Sequence, residues 1–186
     1  PLTDLPTDTI HYDKGEAVAT YPNIEPRFAV RYSINESSSL KASYSQNYQY
    51  IHLASLSGIS LPTDTWVPSS DRVKPQFGTQ YALGYFKNFK NNTYETSVEA
   101  YYKTMKNQIE YEEGFLPENQ VNGNLDNFFV FGKGWSYGAE FFLKKSKGRF
   151  SGWIGYTLAW TKREFPELNL GKEFYPKYDR RHDISV

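Results

Sequence analysis

The stretch that decides the fold runs from residue 135 to residue 161 and reads WSYGAEFFLKKSKGRFSGWIGYTLAWT. From Trp135 to Leu143, every second residue is apolar or aromatic, and most of the residues between them are polar or small. The same period of two returns from Phe150 to Trp160, after the turn-forming residues Ser146-Lys147-Gly148. A period of two is typical of a strand with one apolar and one polar face, so this stretch predicts a β-hairpin.

Two further hairpins are predicted upstream by the same pattern. One joins a strand at Ile24–Ile34 to a strand that ends at Tyr50, through a turn at residues 35–38. The other joins the strands on either side of Lys90-Asn91-Asn92, and a last, incomplete strand begins near Tyr178. We therefore expect an all-β fold in which about seven strands meander in sequential antiparallel order.

The predicted connections alternate between short and long. The short ones are the three turns above, and the long ones cover Ile51–Pro75, Glu112–Lys133 and Pro166–Lys177. The predicted strands are about 10 to 14 residues long, enough to cross a bilayer when tilted, whereas strands of soluble domains average about 5 to 6 residues. Together these features predict part of a transmembrane antiparallel β-barrel, with short turns at one end and long loops at the other.

The two faces of the predicted strands differ in chemistry. We expect the apolar face to contact outer-membrane lipid and the polar face to meet water or a plug inside the barrel. Tyr48, Tyr50 and Trp160 suit an aromatic girdle at headgroup depth. The residues expected on the lipid side are Phe28, Tyr32, Tyr81, Leu83, Val98, Phe141, Ile154 and Leu158, and those expected inside are Arg31, Lys41, Glu99 and Glu140.

Several motifs, taken in order along the chain, resemble the barrel of TonB-dependent outer-membrane receptors. They cover nearly the whole chain beyond residue 24, and each begins or ends a predicted strand. The motifs are Glu25-Pro26-Arg27-Phe28, Lys74-Pro75-Gln76 with Gln80-Tyr81, Leu83-Gly84-Tyr85, Glu99-Ala100-Tyr101-Tyr102-Lys103, Gly134-Trp135-Ser136-Tyr137-Gly138-Ala139-Glu140, Gly152-Trp153-Ile154-Gly155-Tyr156-Thr157 and Tyr178-Asp179-Arg180-Arg181-His182-Asp183.

The resemblance implies a barrel of about 22 strands with a plugged lumen, located in the outer membrane of a Gram-negative bacterium. Such a receptor imports a scarce nutrient, a siderophore, cobalamin or a glycan, with energy delivered by the TonB complex through the plug. A surface lipoprotein is a further partner of some glycan receptors. Because bacterial barrels have their long loops outside and their short turns in the periplasm, Ser57 and Asn169 in the long loops are expected to face the outside, and Asn91 and Lys147 to face the periplasm.

The chain is expected to be a fragment, because both Pro1 and Val186 look like cut ends. Residues 1–23 match none of these motifs and are expected to belong to a preceding extracellular loop. Residues 24–186 then hold the barrel strands and loops of the C-terminal part of the barrel, and the plug domain is absent. Neither the residues that couple to TonB nor those that choose the substrate can be named from this sequence.

Candidate sites for chemistry are few. The chain has no cysteine, and His11, His52 and His182 lack the spacing of a metal site, so we expect no metal, cofactor or catalytic residue. Glu112 and Glu113 are adjacent, and nothing fixes the separation that a glycosidase pair needs. With 21 basic and 21 acidic residues the chain is formally neutral, which argues against nucleic acid as a partner.

Two segments could bind a ligand. Asp179–Asp183 is the densest polar cluster, and its arginines could hold an anion, but a charge network at a strand base is the preferred interpretation. Trp66 lies in a loop with hydroxyl-bearing residues, which suits either a ligand or packing on neighbouring loops. Two alternatives to the receptor stay open at this point, a soluble all-β carbohydrate-binding module and a passive porin.

Overall fold

The computed structural model describes residues 13–54, 65–115 and 125–186 of the chain. One antiparallel sheet of seven strands dominates it, and every strand pairs with its neighbours along the sheet in the order in which they occur in the chain. The sequence therefore predicted the fold class and the seven-stranded meander correctly. The seven strands are β1 (Arg27–Asn35), β2 (Ser38–Gln49), β5 (Gln76–Phe89), β6 (Tyr94–Tyr111), β7 (Phe129–Lys145), β8 (Gly152–Glu164) and β9 (His182–Ser185).

The short connections all lie at one end of the sheet and the long ones at the other. In the second turn, Lys90, Asn91 and Asn92 all have positive φ angles between 51° and 58°. Asparagine tolerates this left-handed conformation better than most residues, which accounts for two of the three positions. Of the long-loop positions named above, Asn169 lies in a short 3-10 turn (Asn169–Gly171), whereas Ser57 lies outside the described residues.

The first long loop contains structure that the sequence did not predict. Two short strands, β3 (Ile51–Ala54) and β4 (Thr65–Pro68), pair in antiparallel order as a separate sheet. Each has only four residues, and such short alternation cannot be told from irregular chain by its pattern alone. A 3-10 turn at Leu125–Phe128 precedes β7. Within the described ranges, no helix has the length and apolar character needed to cross a membrane.

Several strand bounds differ from the predicted ones. Strand β9 begins at His182 rather than near Tyr178, and β8 begins at Gly152 rather than Phe150. Strand β7 begins at Phe129, well before the predicted start at Trp135. Its early part includes Gly132, where an added Cβ would lie 2.6 Å from the ring of Phe165. Glycine is needed there for close approach, and its lack of a side chain hid the strand from the pattern.

The register places six aromatic side chains in one continuous lateral row on the apolar face. Residues directly opposite in antiparallel strands have side chains on the same face, so the pairing carries the row across six strands. The row consists of Phe28, Tyr44, Tyr81, Tyr102, Tyr137 and Trp160. Trp160 is therefore level with Tyr44 and not, as the sequence suggested, with Tyr48, which pairs with Phe77 closer to the long loops.

All eight residues predicted on the apolar face share one side of the sheet, and all four predicted on the polar face share the other. The apolar side chains are uncovered: Phe28 is 68% exposed and Leu83 is 58% exposed. Along β5, Phe89 lies ten residue steps beyond Thr79, which corresponds to a height of about 26 Å for a strand tilted by about 40°. The exposed apolar face thus has the height of a membrane-spanning band.

The sheet has no core of its own, and the buried apolar cluster lies at the long-loop end. There the β3–β4 hairpin packs against the ends of β6 and β7, and Val73 is fully buried. A bulge at Asn107, whose φ is +54°, shifts the register of β6 and turns Ile109 and Tyr111 into this cluster. The cluster consists of Ala54, Val67, Val73, Ile109, Tyr111, Phe115 and Phe129.

Candidate functional site

The polar face carries a row of charged side chains that crosses the whole sheet. Arg31 is directly opposite Lys41 at one edge, and Glu99 is directly opposite Glu140 in the middle. The row continues through Thr157 to Asp183 on β9. The four residues that the sequence predicted inside the barrel are thus brought to one level, with the basic pair and the acidic pair separated by one strand.

Between the basic pair and the acidic pair, the row has a glycine, Gly84, in place of a larger side chain. Gly84 is opposite Lys41 on one side and Glu99 on the other. An added Cβ at this position would lie 2.9 Å from Cγ of Glu99, so the glutamate side chain leans over the glycine. The Lys41 ammonium lies 4.0 Å from the ring centre of Phe86, close enough for a cation–π contact. Lys41 and Glu99 thus both reach over β5, and no ion pair joins them among the described residues.

The two glutamates are not neutralised within the described part of the chain. The ion pairs found there involve neither Glu99 nor Glu140, and Glu99 accepts only a long hydrogen bond of 3.4 Å from the Ser97 hydroxyl. Like charges directly opposite each other in a sheet are destabilising. Both glutamates line an open cavity of about 430 Å³, together with Glu95, Ser97 and Thr157. This surface is suited to a cationic group that enters from the polar side.

A second polar network lies on the same face, nearer the long loops. The Arg163 guanidinium passes over β7 and pairs with the Glu110 carboxylate at 3.0 Å. Gly132 and Gly134 lie between them on β7, where any Cβ would meet neighbouring atoms closely. Arg163 also contacts the face of Tyr178, with the guanidinium carbon 5.2 Å from the ring centre. This network fixes the β8–β9 connection to the barrel wall.

Two residues of the Asp179–Asp183 cluster, Asp179 and Arg181, form the charge network that the sequence analysis preferred. The Asp179 carboxylate accepts a hydrogen bond of 2.9 Å from the backbone N–H of Thr161 and pairs with Arg181 at 3.4 Å. The Arg181 guanidinium lies between the rings of Trp160 and Tyr175, at 5.0 and 5.1 Å from their centres. Asp179 therefore accepts a hydrogen bond from a backbone N–H of β8, and Arg181 links Trp160, at the end of the aromatic row, to Tyr175 in the β8–β9 loop.

The β3–β4 hairpin presents one buried and one exposed face. His52 is fully buried, and its Nε2 lies 3.1 Å from the Ser69 hydroxyl, while Nδ1 has no hydrogen-bond partner. Burial lowers the pKa of the His52 imidazole, which favours the neutral form. On the opposite face Leu53 and Trp66 are paired, and Trp66 is 65% exposed. The exposed indole is available for contact at the long-loop end.

Within the described ranges, the histidines and the acidic pair that the sequence analysis considered as metal ligands or catalytic groups lie apart from one another. Groups of three or more potential ligands are absent within those ranges. His52 is enclosed in the hairpin, and His182 Nδ1 lies 2.8 Å from the Tyr156 hydroxyl on the apolar face. Glu113 accepts a hydrogen bond of 3.2 Å from the backbone of Asn169. His11 lies outside the described residues.

Sequence reasoning found the polar face but not the opposition of Glu99 and Glu140. These residues lie on strands joined by a long connection, and no local turn fixes their register. The ion pair of Arg163 and Glu110 was also not predicted. It depends on the space that Gly132 and Gly134 leave on β7, and that space is not visible in the sequence pattern.

The family model described as TonB dependent receptor-like, beta-barrel, matches residues 4–181. The match begins at residue 4, so it includes most of the segment in which the sequence analysis found no motif. No curated protein and no solved structure gives a significant match to the chain.

Proposed function

The chain belongs to the TonB-dependent receptor-like β-barrel family, and from this premise we propose that it forms part of the wall of an outer-membrane receptor that imports a scarce nutrient with energy from the TonB complex. The observation that carries the proposal is the two-faced sheet. One face is an uncovered apolar band bounded by an aromatic row, and the other is a polar surface crossed by charged residues. Lipid outside and a water-filled or plugged lumen inside fit these two faces.

The surface area of the chain argues against a soluble carbohydrate-binding module. Its accessible surface is 13547 Å², whereas a compact soluble protein of this mass exposes about 9,200 Å². A sandwich would cover its apolar face with a second sheet. Here the only second sheet among the described residues is the β3–β4 hairpin at one end, with four residues in each strand.

The acidic pair supports a plugged receptor over a passive porin. Glu99 and Glu140 repel each other unless a cation lies between them. A water-filled pore would leave them solvated, whereas a plug domain could supply an arginine or lysine and gain a charge-assisted contact. We propose that the plug docks on this pair through a basic side chain. TonB would then act on the plug, and this part of the wall would serve as the surface from which the plug is released.

The long-loop end is the proposed entry side for the nutrient. Its hairpin holds Trp66 outward on a packed base, and long loops above a barrel can enclose a ligand, whereas tight turns cannot. Siderophore, cobalamin and glycan all remain candidates. A surface lipoprotein that covers these loops would accompany a glycan substrate.

Growth on limiting nutrients tests the proposal. Strains of the source bacterium that lack either the full-length receptor or TonB would be grown with a siderophore–iron complex, cobalamin or a complex glycan as the limiting nutrient. Loss of growth on the same nutrient in both strains is expected, with recovery when the missing gene is restored. A passive porin would instead support uptake without TonB. Growth of both strains on all three nutrients would refute the import proposal.

A further inference from the structure

The end of the sheet that carries the short turns is strongly basic. The second and third turns with their flanking residues, 86–96 and 143–153, contain six basic side chains and one acidic side chain, Glu95. Their net charge is +5 in a chain whose overall formal charge is zero, so the charges are segregated rather than evenly spread. We call these six residues the basic patch. They are Lys87, Lys90, Lys144, Lys145, Lys147 and Arg149.

The basic patch surrounds an aromatic pair on the apolar face. Tyr94 and Phe89 stack with ring centres 5.2 Å apart and planes 8° apart. The ammonium groups of Lys90 and Lys145 lie 5.5 and 6.0 Å from the centre of the Tyr94 ring. The Lys147 ammonium donates a hydrogen bond of 2.9 Å to the backbone oxygen of Asn91, which ties the two turns together. The two turns therefore form one connected surface, from which Lys144 is set apart because it lies on the polar face opposite Glu95.

Most of the positive charge of the basic patch is not compensated by acidic side chains of the two turns. Lys144 pairs with Glu95 at 3.6 Å, and no other ion pair forms among the described residues of the two turns. The opposite end of the apolar face differs. There Lys162, Lys133 and Arg181 pair with Glu173, Glu164 and Asp179 at 2.9, 3.1 and 3.4 Å. The excess of basic charge is thus confined to the short-turn end.

The register places the patch where the apolar band ends. Lys87 is level with Leu143 and Ile154 on the apolar face, and Lys145 is directly opposite Tyr94 one level closer to the turns. Long lysine side chains at such a boundary extend toward headgroups while their methylene groups stay in the apolar layer. Aromatic rings and lysines together at this depth are typical of contact with lipid headgroups.

We propose that the basic patch binds the phosphate-bearing headgroups of anionic phospholipids, in the leaflet that faces the short turns. The inference rests on the proposed function, because it requires the apolar face to lie in a membrane. The chemistry follows from the excess of ammonium and guanidinium groups, which complement a phosphate diester carrying a full negative charge. Zwitterionic phospholipids offer the same phosphate with a compensating cation and are held less well.

Photocrosslinking from three positions tests the inference. The full-length receptor would be reconstituted into vesicles of phosphatidylethanolamine and phosphatidylglycerol mixed three to one, with a photoreactive phenylalanine analogue at one position. Phe150, 83% exposed beside the patch, reports on the proposed headgroup contact. Leu83 reports on the middle of the apolar band, and Tyr50 reports on its other end. The lipid adducts would be identified by mass spectrometry.

At Phe150 we expect the phosphatidylglycerol share of the adducts to exceed the share of that lipid in the vesicle by about twofold or more. The variant with Lys87→Gln, Lys90→Gln and Lys145→Gln should reduce the adduct share to that of the vesicle. The matched variant with Lys14→Gln, Lys74→Gln and Lys172→Gln, three exposed lysines elsewhere, should leave it unchanged. Heat-dependent migration in detergent gels would show that each variant is folded.

Two results would overturn the inference, and both can be told apart from a result that contradicts the membrane barrel. Lipid adducts at Leu83 with no excess of phosphatidylglycerol at Phe150 would leave the barrel intact and refute the anionic-lipid contact. An equal excess at Tyr50 and Phe150 would also refute it, because the preference would then not belong to the patch. Absence of lipid adducts at Leu83 would contradict the membrane barrel from which the inference proceeds.

Discussion

Glu99 and Glu140 lie directly opposite each other on β6 and β7, on the polar face of the sheet, and no ion pair in the described part of the chain neutralises either one. Like charges in this arrangement destabilise an isolated sheet. Their presence in the wall of a plugged barrel is explained if a basic group of the plug completes the pair.

Replacing both glutamates should loosen the plug. In the full-length receptor, the double variant Glu99→Gln, Glu140→Gln should weaken plug retention by about 2 to 5 kcal/mol, because a basic group of the plug then loses its partners. The measurement is the urea concentration at which a protease first cleaves the plug. Glu164→Gln removes a carboxylate from the apolar face and is the control. Equal cleavage of both variants and the unaltered receptor would contradict plug docking at this pair.

The two faces of β5 should respond differently to charge. Leu83→Arg should lower the free energy of unfolding by about 2 to 4 kcal/mol, because Leu83 lies in the middle of the apolar band. Ala82→Arg, on the polar face one residue away, should cost less, since its guanidinium can remain solvated. Urea unfolding of the full-length receptor in lipid vesicles measures both. A greater loss for Ala82→Arg would mean that the face assignment is inverted.

The faces of the strands were predictable from the sequence, whereas most of the lateral order was not. A period of two places Leu83 and Ala82 on opposite faces of β5, and Val98 and Glu99 on opposite faces of β6, whatever their neighbours are. The level at which strands meet is set locally only across tight turns, which is why the pairing of Glu99 with Glu140 across a long connection had to be observed. Trp160 was misaligned with Tyr48 for the same reason.

Tertiary contacts account for the elements that the sequence missed. The four residues of β3 form a strand because His52 and Ala54 are buried at the ends of β6 and β7. A pattern of only four residues is too short to predict that burial. The start of β7 was missed because the side chain of Phe165 occupies the place where a Cβ of residue 132 would be. Both features depend on residues distant in sequence.

Acidification should loosen the β3–β4 hairpin. Burial lowers the pKa of His52 in the folded state, so below the ordinary pKa of about 6.5 the open hairpin binds more protons than the packed one. The stability of the hairpin is therefore complete above this pH and falls as the pH drops toward the folded-state pKa. Hydrogen exchange at Ile51–Ala54, corrected for the intrinsic rate, should be faster at about pH 5.5 than at about pH 7.5.

The variant His52→Gln is the control for this effect. It keeps a polar side chain in the same place and lacks a group that titrates in this range, so its corrected exchange should not change between the two pH values. Unchanged protection of the hairpin in the unaltered receptor would show that protonation of His52 is not coupled to its opening.

The central claim, a receptor wall with long loops outside the cell and short turns in the periplasm, is tested most directly by labelling. The chain has no cysteine, so single cysteines at Lys74 and Asn169 in the long loops and at Asn91 and Lys147 in the turns would each give a clear signal, once the rest of the receptor is free of thiols. Intact cells would be treated with a membrane-impermeant maleimide, before and after the outer membrane is opened. The account predicts that the Lys74 and Asn169 positions label in intact cells and that the Asn91 and Lys147 positions label only after opening. Labelling of the turn positions in intact cells would contradict it.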